Sequence, residues 1–303
     1  MGTPGFAVGS LRKLYQSQHD IVGVVTVPDK PQGRGQKLGV SSIKIEAEKL
    51  GIPVLQPDNL DEPTFLDDLA AWRADCFAVV AFRILPPAVF GMPPKGTVNL
   101  HASLLPKYRG AAPIQWALMN GELETGVTTF FIQKKVDTGD ILLQKTVEID
   151  DDMDAGGLHD ALALAGADLL VQTMDGIAHG DLHPKQQDGD VTLAPKILQH
   201  HCQIDWNQSA VGIRNQIRAL SPRPGAFSQL HLQRIKIFNA SLYQECLTGN
   251  PGQIVLLNKH EMVVATGNGC LSLEVVQIQG KRKMSIADFL RGYAVTSNEF
   301  LGE

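Results

Sequence analysis

Apolar residues in the first half of the chain follow two patterns that alternate along it. Short runs of Val, Ile and Phe at 20–27 (DIVGVVTV), 52–56 (IPVLQ), 76–82 (CFAVVAF) and around Val98 and Leu100 read as buried strands. Between them, Phe6, Leu11, Leu14 and Tyr15 recur at helical spacing, Ser41 can cap a helix that Gly51 closes, and 61–73 reads as an amphipathic helix. Strand and helix in turn imply crossover connections, hence an α/β domain built on a doubly wound parallel, Rossmann-like sheet. Farther on, 112–120 reads as a helix and 126–132 as a strand, and QKKVDTGDILLQ as a tight turn between strands. The last Asp of EIDDDMD (148–154) then caps a long apolar helix. A polar, breaker-rich stretch follows, and beyond it short β-patterned segments (HLQRIKIFNASLY, GQIVLLN, MVVATG, CLSLEVVQI) separated by Gly and Asn turns suggest a small barrel. The expected division is a catalytic domain at 1–180, a linker at 181–199 and a smaller domain at 200–303.

Composition sharpens this picture in three places. With 303 residues, 44% of them hydrophobic and 19% charged, two domains are the default. The longest unbroken apolar run, 76–82, is too short to cross a bilayer, and MGTPGFAV lacks a basic leader before an apolar core, so a cytoplasmic protein with no membrane partner is expected. Cys76, Cys202, Cys246 and Cys270 are far apart and without a CxxC pair, which argues for reduced thiols. Net charge is −5, but it is uneven: residues 200–303 hold ten basic against seven acidic side chains, and residues 1–199 carry the excess of acid. The smaller domain is thus free to face phosphates. The stretch PDKPQGRGQKLGVSSIK adds a local excess of cations (Lys30, Arg34, Lys37, Lys44) against Asp29 alone, and its glycines and prolines predict a mobile surface loop.

Candidate chemistry centres on VNLHASLLPKYRGAAPIQ (98–115). Asn99 and His101 stand two residues apart on a strand, so an amide and an imidazole leave the same face. They do so at a strand end, where open α/β sheets bind ligands. For such a pair taken alone, mutual or backbone hydrogen bonding is the commoner explanation. Asp137 and Asp140 flank Thr138-Gly139 in a sequence that ordinary turn chemistry explains. The run EIDDDMD reads as a solvated loop, and adjacent His200 and His201 should point apart, so no metal site is expected.

SLLPKYRGAAPIQWA resembles the signature of the folate-dependent formyltransferases, and RGAAPIQ resembles the branch that formylates initiator methionyl-tRNA. The likeness runs from GTPGFAV to FLRG. It implies 10-formyltetrahydrofolate as formyl donor, no metal, and an oligonucleotide-binding-like second domain, matched by IDW, IRALSPRPGAF and GKRKMSIADFLRG. It implies Asn99, His101 and, from its DTG context 36 residues beyond His101, Asp137 rather than Asp140 as catalytic residues. Ser103, Leu104, Leu105 and Pro106 would belong to the folate loop, and AFRILPPAVF to a pterin loop, where Arg83 departs from the small residue usual in the family. PDKPxGRGxKL would grip the tRNA acceptor arm through Lys30, Arg34 and Lys37, and Arg109 to Gln115 would shape the methionine and adenosine end. Arg214, Arg218, Arg234, Lys281, Arg282 and Lys283 would meet the tRNA backbone. Members usually carry a short apolar strand ahead of the GTP turn, so the native chain is expected to start upstream of Met1, and a monomer is expected.

Acyl transfer to an amine needs a donor for the developing oxyanion, typically worth about 2.7–4 kcal/mol, and a route for the proton. Asn99 suits the first task. His101, oriented by Asp137, suits the second. Direct transfer is expected because the motif holds no Ser or Cys nucleophile. Hydrolysis of the donor, formylation of glycinamide ribonucleotide or an amino sugar, and non-catalytic tRNA binding are the competing readings.

Overall fold

The computed structural model describes residues 1–32, 37–245 and 247–302, with the side chains of Gln32 and Lys37 left aside, so Arg34 lies outside the described residues. In chain order the elements are α1 (Phe6–Tyr15), β1 (Val24–Val25), β2 (Lys30–Gln32), β3 (Lys37–Gly39), α2 (Ser42–Lys49), β4 (Val54–Leu55), α3 (Pro63–Ala71), β5 (Phe77–Val80), α4 (Pro87–Phe90) and β6 (Thr97–His101). There follow β7 (Arg109–Gly110), α5 (Pro113–Met119), β8 (Glu124–Phe131), β9 (Ile141–Glu148), α6 (Ala155–His179) and β10 (Leu193–Ala194). The remainder comprises α7 (Ala210–Leu220), β11 (Ala226–Leu230), β12 (Gln233–Tyr243), β13 (Ile254–Leu257), β14 (Met262–Ala265), β15 (Cys270–Ile278), β16 (Met284–Ser285) and α8 (Ile286–Gly292). These form two compact units: Met1–Pro113 with Glu124–Glu148 and His159–Leu193, and Ile114–Leu123 with Ile149–Leu158 and Ala194–Glu303.

The first unit is the expected α/β layer. β5 and β6 pair in parallel, as do β1 and β4, while β8 and β9 extend the sheet antiparallel in the order β5-β6-β8-β9. Ser41 caps α2 by accepting the Lys44 amide at 3.3 Å, and Gly51 (φ +70°) follows the helix. Strands β1 and β4 are shorter than the apolar runs that contain them, because residues 20–23 line a cavity of about 440 Å³ instead of a neighbouring strand. Beside that cavity, Met1 and Gly2 join the two parallel pairs: Gly2 donates to the Val25 carbonyl at 3.1 Å, and Val80 donates to that of Met1 at 2.9 Å. The Met1 ammonium donates to Ala78 at 2.6 Å, and burial pushes its pKa down to about 5.

The basic stretch after β1 differs from expectation. Its described residues pair antiparallel, β2 with β3, with Lys30 opposite Gly39 and Pro31 opposite Leu38, and Lys44 and Gln56 both bind Asp29 beside them, at 2.5 and 2.9 Å. Lys44 is therefore an internal anchor, whereas Lys30 is exposed. Among the described residues, α6 is the one helix long and apolar enough to span a membrane. Its apolar face is used inside the fold: Leu162, Leu170 and Thr173 are fully buried, and a side chain on Gly166 would stand 2.7 Å from Leu100.

The second unit is an antiparallel sheet in the order β11-β12-β15-β14-β13, with β16 on β15. Ile213, Ile217 and Leu220 of α7 are buried in one cluster with Ile235, Ile237, Leu271 and Leu273. Two cations expected to face RNA turn inward here. Arg214, only 12% exposed, binds Asp151 and Asp152 at 2.9 Å, and Arg218 donates to the backbone carbonyls of Asp150, Asp151 and Met153. The acidic loop that read as merely solvated is what holds them. His200 and His201 do not point apart: their ring centroids lie 3.9 Å from each other.

Candidate active site

Strand alternation sets the first two groups. Val98 and Leu100 are buried on one side of β6, the side that α6 covers, so Asn99 and His101 take the other. Parallel pairing with β5 places them at the carboxyl end of the pair, Asn99 opposite Val79 and, across β8, opposite Phe130. The Asn99 side chain has no hydrogen-bond partner among the described residues, and its amide remains a free donor at a half-buried position.

His101 is buried, and its Nε2 lies 2.9 Å from the Tyr108 carbonyl. A carbonyl only accepts, so Nε2 carries a proton and the exchangeable position is Nδ1. That nitrogen stands 3.9 Å from Asp137 Oδ2, in ion-pair range when protonated and too far for a direct hydrogen bond. Asp137 Oδ2 also accepts the Gly110 amide at 2.9 Å. His101 and Asp137 thus approach each other, with Asn99 on the same face of β6, but a backbone carbonyl orients the imidazole, not the carboxylate expected to do so.

Two non-glycine residues here adopt left-handed backbone, Tyr108 at φ +58° and Asp137 at φ +53°, a conformation that costs of order 1 kcal/mol or more. The stretch expected as a linker holds both. Thr192 accepts the Tyr108 amide through its hydroxyl at 2.8 Å and the Arg109 amide through its carbonyl at 3.0 Å. Gln187 donates to the carbonyls of Asp137 and Gly139 at 3.0 and 2.8 Å and accepts twice from the Arg109 guanidinium. Arg109 is therefore bound internally. Gly139 is required for close approach, since a Cβ there would stand 1.6 Å from the Phe131 carbonyl oxygen.

Residues 103–106 form a tightly bonded loop. The Ser103 hydroxyl donates to the Lys107 carbonyl at 2.6 Å, and Leu105 is buried with its amide on Thr128 and its carbonyl on Gln144. Leu104 lies against Gly126. Beyond β5, the neighbour of β6, a cavity of about 460 Å³ is lined by Arg83, Ile84, Leu85, Pro86 and Phe90, with Lys134 at its rim. Ile84 is 78% exposed, and Arg83 is tied back to the carbonyls of Pro57 and Asp58. No cluster of metal-ligating side chains occurs among the described residues. Burial pushes the Cys76 thiol up to about 11, which disfavours the thiolate.

Residues 1–174 match the family model described as formyl transferase, and residues 196–294 match that of the formyl transferase C-terminal domain. The chain belongs to the formyl transferase family. It is 42% identical to a methionyl-tRNA formyltransferase of Geobacter metallireducens over 96% of this chain and 94% of that one. With a methionyl-tRNA formyltransferase of Parabacteroides distasonis the identity is 45%, over 97% and 94%. Among solved structures, an N-formyltransferase from Helicobacter canadensis in complex with folinic acid and dTDP-3-aminofucose superimposes with TM-score 0.66 at 20% identity, covering 93% of this chain and 97% of that one. HypX from Aquifex aeolicus, in complex with tetrahydrofolic acid, gives TM-score 0.64 at 19% identity, over 93% of this chain and 51% of that one. In this family member the sequence overlooked Gln187, Thr192 and the Tyr108 carbonyl. Nothing in the polar run HPKQQDGDV marks one glutamine as different from its neighbour.

Proposed function

We propose that the chain transfers the formyl group of 10-formyltetrahydrofolate to the free amino group of methionyl-initiator-tRNA, directly and through a tetrahedral intermediate. The observation that carries this reading is the approach of Asp137 to Nδ1 of His101, on the strand face that also carries Asn99. The amine attacks the formyl carbon, and the unpartnered Asn99 amide donates to the oxygen as it becomes an oxyanion. The proton that the amine sheds is carried by the His101–Asp137 pair to N10 of the departing tetrahydrofolate, and the C–N10 bond breaks as the formamide forms. Direct transfer is supported by the Ser103 hydroxyl, which is already engaged with Lys107, and by the raised pKa of Cys76.

The donor is held by the loop at 103–106, through Leu104, Pro106 and the backbone, with its pterin in the cavity beside Ile84, where Pro86, Pro87 and Phe90 offer apolar surface and Asp58, Asn59 and Asp61 polar groups. A flat bicyclic ring suits an exposed Ile and two prolines, and no metal takes part. Lys30, Arg34 and Lys37 meet the acceptor arm of the tRNA, positioning it without reading sequence. Arg109 acts through Gln187 on the turn of Asp137. All three catalytic groups come from one unit of one chain, in keeping with a monomer. Methionyl-tRNA as acceptor is supported by relatives more than 40% identical over nearly the whole chain. Incubation with formyl-labelled donor and charged initiator tRNA, small amines or neither tests the reading: label should pass to methionyl-tRNA. Release as free formate in every arm, or transfer to an amino sugar, would overturn it.

A further inference from the structure

A row of three side chains runs across the strands of the first unit. Thr128 of β8 stands directly opposite His101 of β6 on one side and Gln144 of β9 on the other. Directly opposed residues share a face, so a hydroxyl and an amide continue the face that bears the imidazole. Thr128 is fully buried, and its hydroxyl is used to capacity. It donates to the Ser103 carbonyl at 2.6 Å and accepts from the Leu105 amide at 3.1 Å and from the Gln144 side-chain amide at 2.9 Å. The same Gln144 nitrogen donates to the Leu105 carbonyl at 2.9 Å. Three backbone groups of the loop 103–106 are thus bound by two side chains that stand in register with His101. Neither of these side chains lies in the motif 98–115.

We propose that Thr128 and Gln144 are positioning residues for the formyl donor, locking the loop 103–106 in register with His101 so that a donor held there presents its formyl carbon to the imidazole face; this rests on the loop holding 10-formyltetrahydrofolate. They act through the loop and not on the reacting atoms. Thr128 is the stronger of the two. Its loss takes the partner from the Leu105 amide and a donor from the Ser103 carbonyl in a buried place, whereas Gln144 is exposed and adds one donor shared between Thr128 and Leu105. A loop misplaced by a fraction of an ångström binds the donor less well and aims it less well.

The test compares Thr128→Val, which keeps the shape and removes the hydroxyl, with Thr128→Ser, which restores it, with Gln144→Ala, and with Leu104→Ala in the loop itself. Thr128→Val should raise KM for the formyl donor about tenfold, Gln144→Ala about threefold and Thr128→Ser less than about twofold. In these variants kcat should fall no more than about threefold, and KM for methionyl-tRNA should keep its parent value. A merely structural role would raise both KM values together, and that result overturns the proposal. So does a parent donor KM in Thr128→Val, or a Thr128→Ser as impaired as Thr128→Val. Should Thr128→Val not fold, Gln144→Ala at its exposed position decides: a donor KM that does not rise there overturns the proposal. Leu104→Ala separates this from the reading on which it rests. A raised donor KM in Leu104→Ala beside a parent donor KM in Thr128→Val overturns the anchoring alone; a parent donor KM in Leu104→Ala removes the loop as the seat of the donor, and the anchoring role with it.

Discussion

The strand end that carries Asn99 and His101 and the turn that carries Asp137 reach the same place but are held in different ways. β6 lies between two strands, with fully buried Val98 on its far face, and its side-chain directions follow from the pleat. The turn at 137–140 has left-handed backbone at Asp137 and a glycine pressed on a carbonyl, and two of its carbonyls accept from Gln187, 48 and 50 residues away. The first region is rigid by local geometry, the second by a distant strap. Loss of a reacting group and loss of the strap should therefore leave different signatures.

The largest effect is expected on the strand. Asn99→Ala or His101→Ala should lower kcat at least about a hundredfold, with KM for tRNA and the melting temperature little changed; near-parent turnover in either would remove the assignment. Next comes the turn. Gly139→Ala places a Cβ against the Phe131 carbonyl, so kcat should fall about thirtyfold and the melting temperature by roughly 5 °C, readable by steady-state kinetics and calorimetry. Gln187→Ala leaves the Asp137 and Gly139 carbonyls without that donor and frees Arg109. It should cost about tenfold in kcat and a few degrees in melting temperature. If it leaves turnover intact, the strap is not what positions Asp137.

The smallest effect belongs to the framework. Arg12 binds Glu46 at 2.7 and 2.8 Å, joining α1 to α2, and this hydrogen-bonded pair holds the Glu46 carboxyl below its ordinary 4.5. A lowered folded-state pKa gives stability that is present above the unfolded value and lost as pH falls through the folded one. Melting temperature should thus decline on acidification below the ordinary value of 4.5 more steeply in the parent than in Glu46→Gln. At neutral pH the two should turn over alike, since the pair is remote from the chemistry.

Much of this was open to a reading of the sequence alone. Two-residue periodicity put Asn99 and His101 on one face, Ser41 and Gly51 bounded a helix, and the motif 98–115 named the chemistry. The first two depend on neighbours within a few residues, where strand and helix repeats are set by backbone geometry, whereas the motif names the chemistry only through its likeness to a family signature. Tertiary structure alone decided that Tyr108 and not Asp137 orients the imidazole, and that Arg214 binds Asp151 and Asp152 while Arg218 binds the carbonyls of the same loop. It alone made an expected linker the strap of the active site. The reason is that these outcomes hang on single hydrogen bonds between residues as much as 84 positions apart, and the energy of such a bond leaves no periodic trace in the chain.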